Sequence, residues 1–124
     1  MAGKKILLVD DEAEFVSTLA ERLELRGIEV MTAHNGEGAL QMIDQDPPQL
    51  VVMDMMMPGM SGLETLKRIK ARYPKMRVIL LTGHGCTKEG TDGLRLGAEE
   101  CLMKPLEIDV LIKKLRETKD HPSQ

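Results

Sequence analysis

Short apolar runs alternate with longer amphipathic ones along this chain, and the alternation predicts five strands and five helices. Ile6–Val9 is continuously apolar, the pattern of a strand buried on both faces. Glu12–Arg26 carries Phe15, Leu19 and Leu23 at helical spacing, and Gly27 is placed to end that helix. Ile28–Thr32 is more polar, as suits a strand at a sheet edge. Asn35-Gly36 makes a turn into a second helix that Pro47-Pro48 terminates. Leu50–Met53 is another wholly apolar strand, followed by a loop rich in Met and Gly. Gly62–Arg72 reads as a helix with Leu66, Ile69 and Tyr73 along one face. Val78–Leu81 is a strand, a weak helix then runs to Gly97, and Cys101–Met103 is the last strand. Ile108, Leu111, Ile112 and Leu115 give the final helix one apolar stripe. Strands that alternate with helices in this way imply a parallel sheet covered on both faces, a three-layer α/β sandwich.

A chain of 124 residues suits one domain with a core of its own. With ten Met, one Phe, one Tyr and no Trp, that core must be almost wholly aliphatic. Seventeen basic and twenty acidic side chains leave a net charge of -3, which argues against direct nucleic-acid binding or an anionic-membrane footprint. Cys86 and Cys101 are too far apart for a CxxC motif and read as small apolar side chains. No secretory signal opens the chain and no apolar stretch approaches the length that spans a bilayer, so a cytoplasmic location with reduced thiols is expected. No repeat or linker interrupts residues 1–118, and the polar residues 119–124 read as a tail or the start of a linker.

Functional groups in open α/β sheets gather at the carboxyl ends of the strands. Asp10, Asp11 and Glu12 follow the first strand here, Asp54 the third, Thr82 the fourth and Lys104 the fifth. Carboxylates concentrated at one edge repel one another, which is a poor route to stability. A hard cation resolves the repulsion, and carboxylate oxygens shared with water and phosphate oxygens suit Mg²⁺. A carboxylate beside such a cation can attack phosphorus, while an ammonium and a hydroxyl neutralise and bind the phosphoryl oxygens. Asp54 is the best nucleophile, since it stands alone at a central strand end whereas Asp10 and Asp11 form a pair. Each motif alone also fits a solvated turn; their conjunction at four strand ends carries the signal.

Asp10-Asp11-Glu12, Asp54-Met55-Met56-Met57-Pro58-Gly59-Met60-Ser61-Gly62-Leu63-Glu64, Leu81-Thr82-Gly83-His84-Gly85 and Lys104-Pro105 together resemble the receiver domains of bacterial response regulators. The similarity runs from Lys4 to about Leu115. It implies a flavodoxin-like doubly wound sheet with strand order 2-1-3-4-5. It also implies Mg²⁺, a sensor histidine kinase or phosphotransfer protein as phosphodonor, and a downstream protein or domain that reads the phosphorylated state. Position by position, the resemblance makes Asp54 the phosphoacceptor, Asp11 a direct metal ligand and Asp10 a ligand largely through water. The backbone carbonyl of Met56 becomes a further metal oxygen, Thr82 the switch hydroxyl and Lys104 its partner at the phosphoryl group. Gly83 becomes the small residue that keeps the pocket open, and the Lys104–Pro105 peptide is expected to be cis. The protein is then a regulator whose only catalysis is its own phosphorylation and dephosphorylation.

The chain departs from the family pattern in three ways. Cys101 stands where these domains usually carry a Tyr or Phe that reports phosphorylation. Gly90 and Gly93 lie within the fourth helix, each costing about 1 kcal/mol against Ala in a helix interior. Met56 places an apolar side chain two positions beyond the acceptor. Together they imply that the signal leaves through the fourth helix and fifth strand by some means other than an aromatic rotamer. Rival classes require other sequences: haloacid-dehalogenase-type phosphatases resemble this fold but place the nucleophile after the first strand in a DxD pattern. A flavin module would need a donor-rich phosphate loop where three acids stand. A receiver that only docks would have no use for Asp54, Thr82 and Lys104 together.

Overall fold

The computed structural model describes residues 5–83 and 88–117. The sequence features at His84, Gly85 and Cys86 and the tail 119–124 lie outside the described residues. Ten elements alternate strictly: β1 Lys5–Val9, α1 Ala13–Glu24, β2 Glu29–Ala33, α2 Gly36–Gln45, β3 Leu50–Asp54, α3 Gly62–Arg72, β4 Arg77–Thr82, α4 Lys88–Arg95, β5 Glu100–Met103 and α5 Ile108–Arg116. All neighbouring strands are parallel, in the order β2-β1-β3-β4-β5, so β2 is an edge strand as its polarity suggests.

Strand residues divide cleanly between the two faces because side chains alternate along a pleated backbone. Leu7, Val9, Val51, Met53, Val78 and Leu80 meet Ala39, Leu40 and Ile43 of α2 and Leu66 and Ile69 of α3. Ile6, Leu8, Leu50, Val52, Ile79 and Leu81 meet Val16, Leu19 and Leu23 of α1 and Leu111, Ile112 and Leu115 of α5. Two aliphatic cores thus sandwich the sheet, which accounts for the continuous apolar runs.

Local chemistry sets the helix limits. Asn35 caps α2 by accepting from Gly38 N–H at 2.7 Å, and Ser61 caps α3 by accepting from Glu64 N–H at 3.1 Å. Gly27 adopts φ +82° just beyond α1, a conformation glycine takes without a Cβ penalty. Several details differ from the sequence expectation. The buried stripe of α1 uses Val16 with Leu19 and Leu23, leaving Phe15 half-buried at its border. Tyr73 is the C-cap of α3; it packs half-buried against the same core as Leu66 and Ile69, and its hydroxyl donates to Asp44 of α2 at 2.6 Å. Asp54 and Thr82 are the last residues of their strands rather than the first residues beyond them.

Candidate metal and phosphoryl site

Register brings the chemical groups together. Val9 pairs with Met53, so Asp10 and Asp54 leave β1 and β3 side by side. Thr82 pairs with Met103, which places Lys104 one residue beyond Thr82 on the neighbouring strand, and Lys104 N–H donates to the Thr82 carbonyl at 2.8 Å. The sheet therefore delivers two carboxylates, a hydroxyl and an amine to one end, and the turn after β1 adds Asp11.

Asp10, Asp11 and Asp54 each offer a carboxylate oxygen within 4.8 Å of the others. Asp10 and Asp54 are buried and Asp11 is exposed, so the cluster opens to solvent on one side. Asp10 Oδ1 accepts from Glu12 N–H at 2.9 Å. Asp10 Oδ2 is buried and accepts no hydrogen bond of good geometry, although Lys104 Nζ lies 2.8 Å away. A buried carboxylate oxygen with spare acceptor capacity, within an all-oxygen donor set, fits a hard divalent cation. Burial pushes the Asp54 carboxyl above the ordinary carboxylate range. Asp10 and Asp11 push the same way, while Lys104 and the Met56 N–H, 3.4 Å from Asp54 Oδ1, pull it back.

Lys104 sits at the centre of the acids. Its Nζ lies 2.5 Å from Glu12 Oε1 and 3.6 Å from Asp54 Oδ2 as well as near Asp10. Burial disfavours the ammonium, but the contacts with Asp10 and Glu12 and the charges of Asp10 and Asp54 outweigh it and raise its pKa. The Lys104–Pro105 peptide is cis, as the family resemblance implies. Thr82 is buried at the end of β4, and Gly83 beside it is exposed with open space around it. Met56, in the loop that follows Asp54, is 70% exposed. Cys101 is half-buried, on β5, packed against the α2–α3 core and paired in register with Leu80.

Three residues at this end escaped sequence reasoning in whole or part. Glu12 counts as motif and helix start, yet its side chain makes no cap and reaches Lys104 instead. Phe15 reads as core, yet its ring lies beneath Lys104 Nζ at 4.8 Å from the centroid. His34 gives no sequence signal, and its Nδ1 lies 3.4 Å from the Asp10 carbonyl oxygen.

A family model described as the response regulator receiver domain matches residues 6–116. The chain belongs to that family. Among its relatives, the transcriptional regulatory protein CpxR of Escherichia coli is 42% identical over 112 residues, covering 90% of this chain and 47% of the relative. The chain thus spans about half the length of the curated relatives it matches. The receiver domain of NtrX from Brucella abortus superposes with a TM-score of 0.84 at 32% identity, covering 92% of this chain and 99% of the other. A response regulator from Burkholderia pseudomallei, solved with a phosphorylated aspartic acid, a calcium ion and citrate, superposes at 0.84 and 29% identity. That match covers 91% of this chain and 66% of the other. As a receiver domain the chain is a component of two-component, phosphorylation-dependent signalling, and its fold is that of its structural neighbours.

Proposed function

We propose that Asp54 is the phosphoacceptor, taking a phosphoryl group from a sensor histidine kinase or phosphotransfer protein. The observation that carries this reading is the convergence of Asp10, Asp11, Asp54 and Lys104 at one end of the sheet, with Asp54 buried at a central strand end. Asp10, Asp11, Asp54 and the Met56 carbonyl would hold Mg²⁺, which when bound supplies positive charge for the phosphoryl oxygens. One Asp54 carboxylate oxygen forms the new bond to phosphorus. The bond from phosphorus to the donor's leaving group breaks, and that group departs with the electron pair. Lys104 and Thr82 bind the phosphoryl oxygens, and the open space at Gly83 admits the donor. Because Asp54 resists ionisation without a counterion, Lys104 also favours its reactive carboxylate form.

The domain comprises residues 1–118 in this reading, with 119–124 as a tail or the start of a linker. It catalyses only its own phosphorylation and dephosphorylation, in the cytoplasm. Its output goes through a changed surface at α4 and β5 to a downstream protein or domain, without direct nucleic-acid or membrane contact by this domain. No helix among the described residues is long and apolar enough to cross a membrane. Acetyl phosphate with Mg²⁺ tests the site: intact-mass measurement should show one added phosphoryl group, abolished in Asp54→Asn. Undiminished labelling of that variant places the acceptor elsewhere.

A further inference from the structure

The only phenylalanine in 124 residues stands four positions after Asp11, on the first turn of α1. Its ring is not in the buried stripe of that helix; it packs at the border of the α1–α5 core, where Leu102 and Leu106 also lie. Those two residues flank Lys104 in the chain, so ring and lysine are held by the same neighbourhood. The Lys104 ammonium lies 4.8 Å from the ring centroid, within the roughly 6 Å over which a cation is drawn to an aromatic face. The Lys104 side chain is only 15% exposed, so this attraction acts with little screening by water.

The other partners of Lys104 pull in different directions. Glu12, whose side chain is 61% exposed, draws the ammonium outward at 2.5 Å, while the buried Asp10 holds it at 2.8 Å and Asp54 stands inward at 3.6 Å. Lysine is a point charge on a flexible four-carbon stem and does not hold one geometry by itself. Asp10, Glu12 and Asp54 each offer the ammonium a directional carboxylate oxygen. A ring face has no directional acceptor, so the ammonium can turn from Glu12 toward Asp54 without leaving it.

We propose that Phe15 is a positioning residue, whose ring face keeps the Lys104 ammonium beside Asp54 while leaving it free to exchange oxygen partners. The proposal rests on Lys104 as the phosphoryl-binding cation. An aliphatic side chain here would fill part of the volume and remove the seat.

The experiment compares wild type, Phe15→Leu and Phe15→Tyr in the full chain, reading acetyl-phosphate labelling rates and the Lys104 side chain by NMR. In wild type, cross-relaxation between the Phe15 ring and the Lys104 ε-methylene is expected, with those protons shifted upfield by the ring current. Phe15→Leu should slow labelling by at least about fivefold and abolish the upfield shift, and Phe15→Tyr should restore most of both. Absence of the ring-to-lysine signal in wild type overturns the proposal, as does wild-type labelling by Phe15→Leu or a Tyr variant as slow as the Leu one. Should Phe15→Leu fail to fold, the wild-type signal and the Tyr variant still decide. Failure of Asp54 to be labelled in wild type is a separate readout, which refutes the acceptor assignment and not the seat.

Discussion

Asp54 carries the conflict on which the site is built: it is buried among Asp10 and Lys104, yet as the proposed phosphoacceptor it must ionise to attack phosphorus. Its burial and the Asp10 charge favour the neutral acid, and Lys104 offsets this only in part. The sign of the resulting pH dependence follows from proton counting. Below the ordinary carboxylate range, near pH 4, both folded and unfolded Asp54 are protonated and the site costs nothing. As pH rises, the unfolded chain loses that proton first, so stability falls until the folded carboxyl has ionised too. Without divalent cation, Asp54→Asn should therefore be more stable than wild type. The gap in melting temperature should be small near pH 4 and widen toward neutrality before levelling. Thermal melts in EDTA across that range check it, and a pH-independent gap removes Asp54 as the strained group. The acids themselves were legible in sequence because each directly follows an apolar strand. The partners of Lys104 were not, because Glu12 and Phe15 come from α1 and reach the site only through packing of that helix on the sheet.

Among the elements, the strands were the most legible and the helix faces the least. A parallel strand covered on both sides must be apolar throughout, so Leu50–Met53 and Val78–Leu81 announce themselves; the strands ran one residue further because Asp54 and Thr82 still pair with their neighbours. Helix α4 shows what a one-dimensional pattern misses. In sequence, Gly93 is a helix-weakening residue. In the fold it is buried, and a Cβ built there would lie 2.3 Å from Leu80 Cδ1 and 3.3 Å from Leu63 Cδ2. Gly93 is thus the point at which α4 lies directly on β4 and α3. Two effects of opposite sign then bear on Gly93→Ala: a helix-propensity gain of about 1 kcal/mol and an overpacking cost of about 1–3 kcal/mol. Leu80 is fully buried and has little room to yield, so overpacking should prevail. Urea denaturation should show a net loss of about 1 kcal/mol. A stabilised variant would show that α4 does not rest on Leu80.

Over the whole molecule, unequal anchoring would join the proposed phosphoryl site to the proposed exit surface. Helices α1, α2, α3 and α5 each bury three side chains. Of residues 91–95 in α4, only Gly93 is buried, and Leu94 is 46% exposed. Elements with few buried apolar contacts sit at the low end of local stability and move first when a neighbour changes. Thr82 ends the strand on which α4 rests, so displacement of its hydroxyl toward a phosphoryl group would disturb the support beneath Gly93. Cys101, beside Leu80 in register, has no ring to swing between buried and exposed positions, so a rotamer there changes little surface. Phosphorylation should therefore be reported by repositioning or ordering of α4. Coupling energies between sites are typically about 1–3 kcal/mol, and α4, where Gly93 is the one buried residue among 91–95, is an element that such an energy can shift. Hydrogen exchange with and without a beryllofluoride phosphoryl mimic should show its largest change in protection at Lys88–Leu96. Protection unchanged there, with the difference confined to α5 or absent, would mean that the signal leaves by another route.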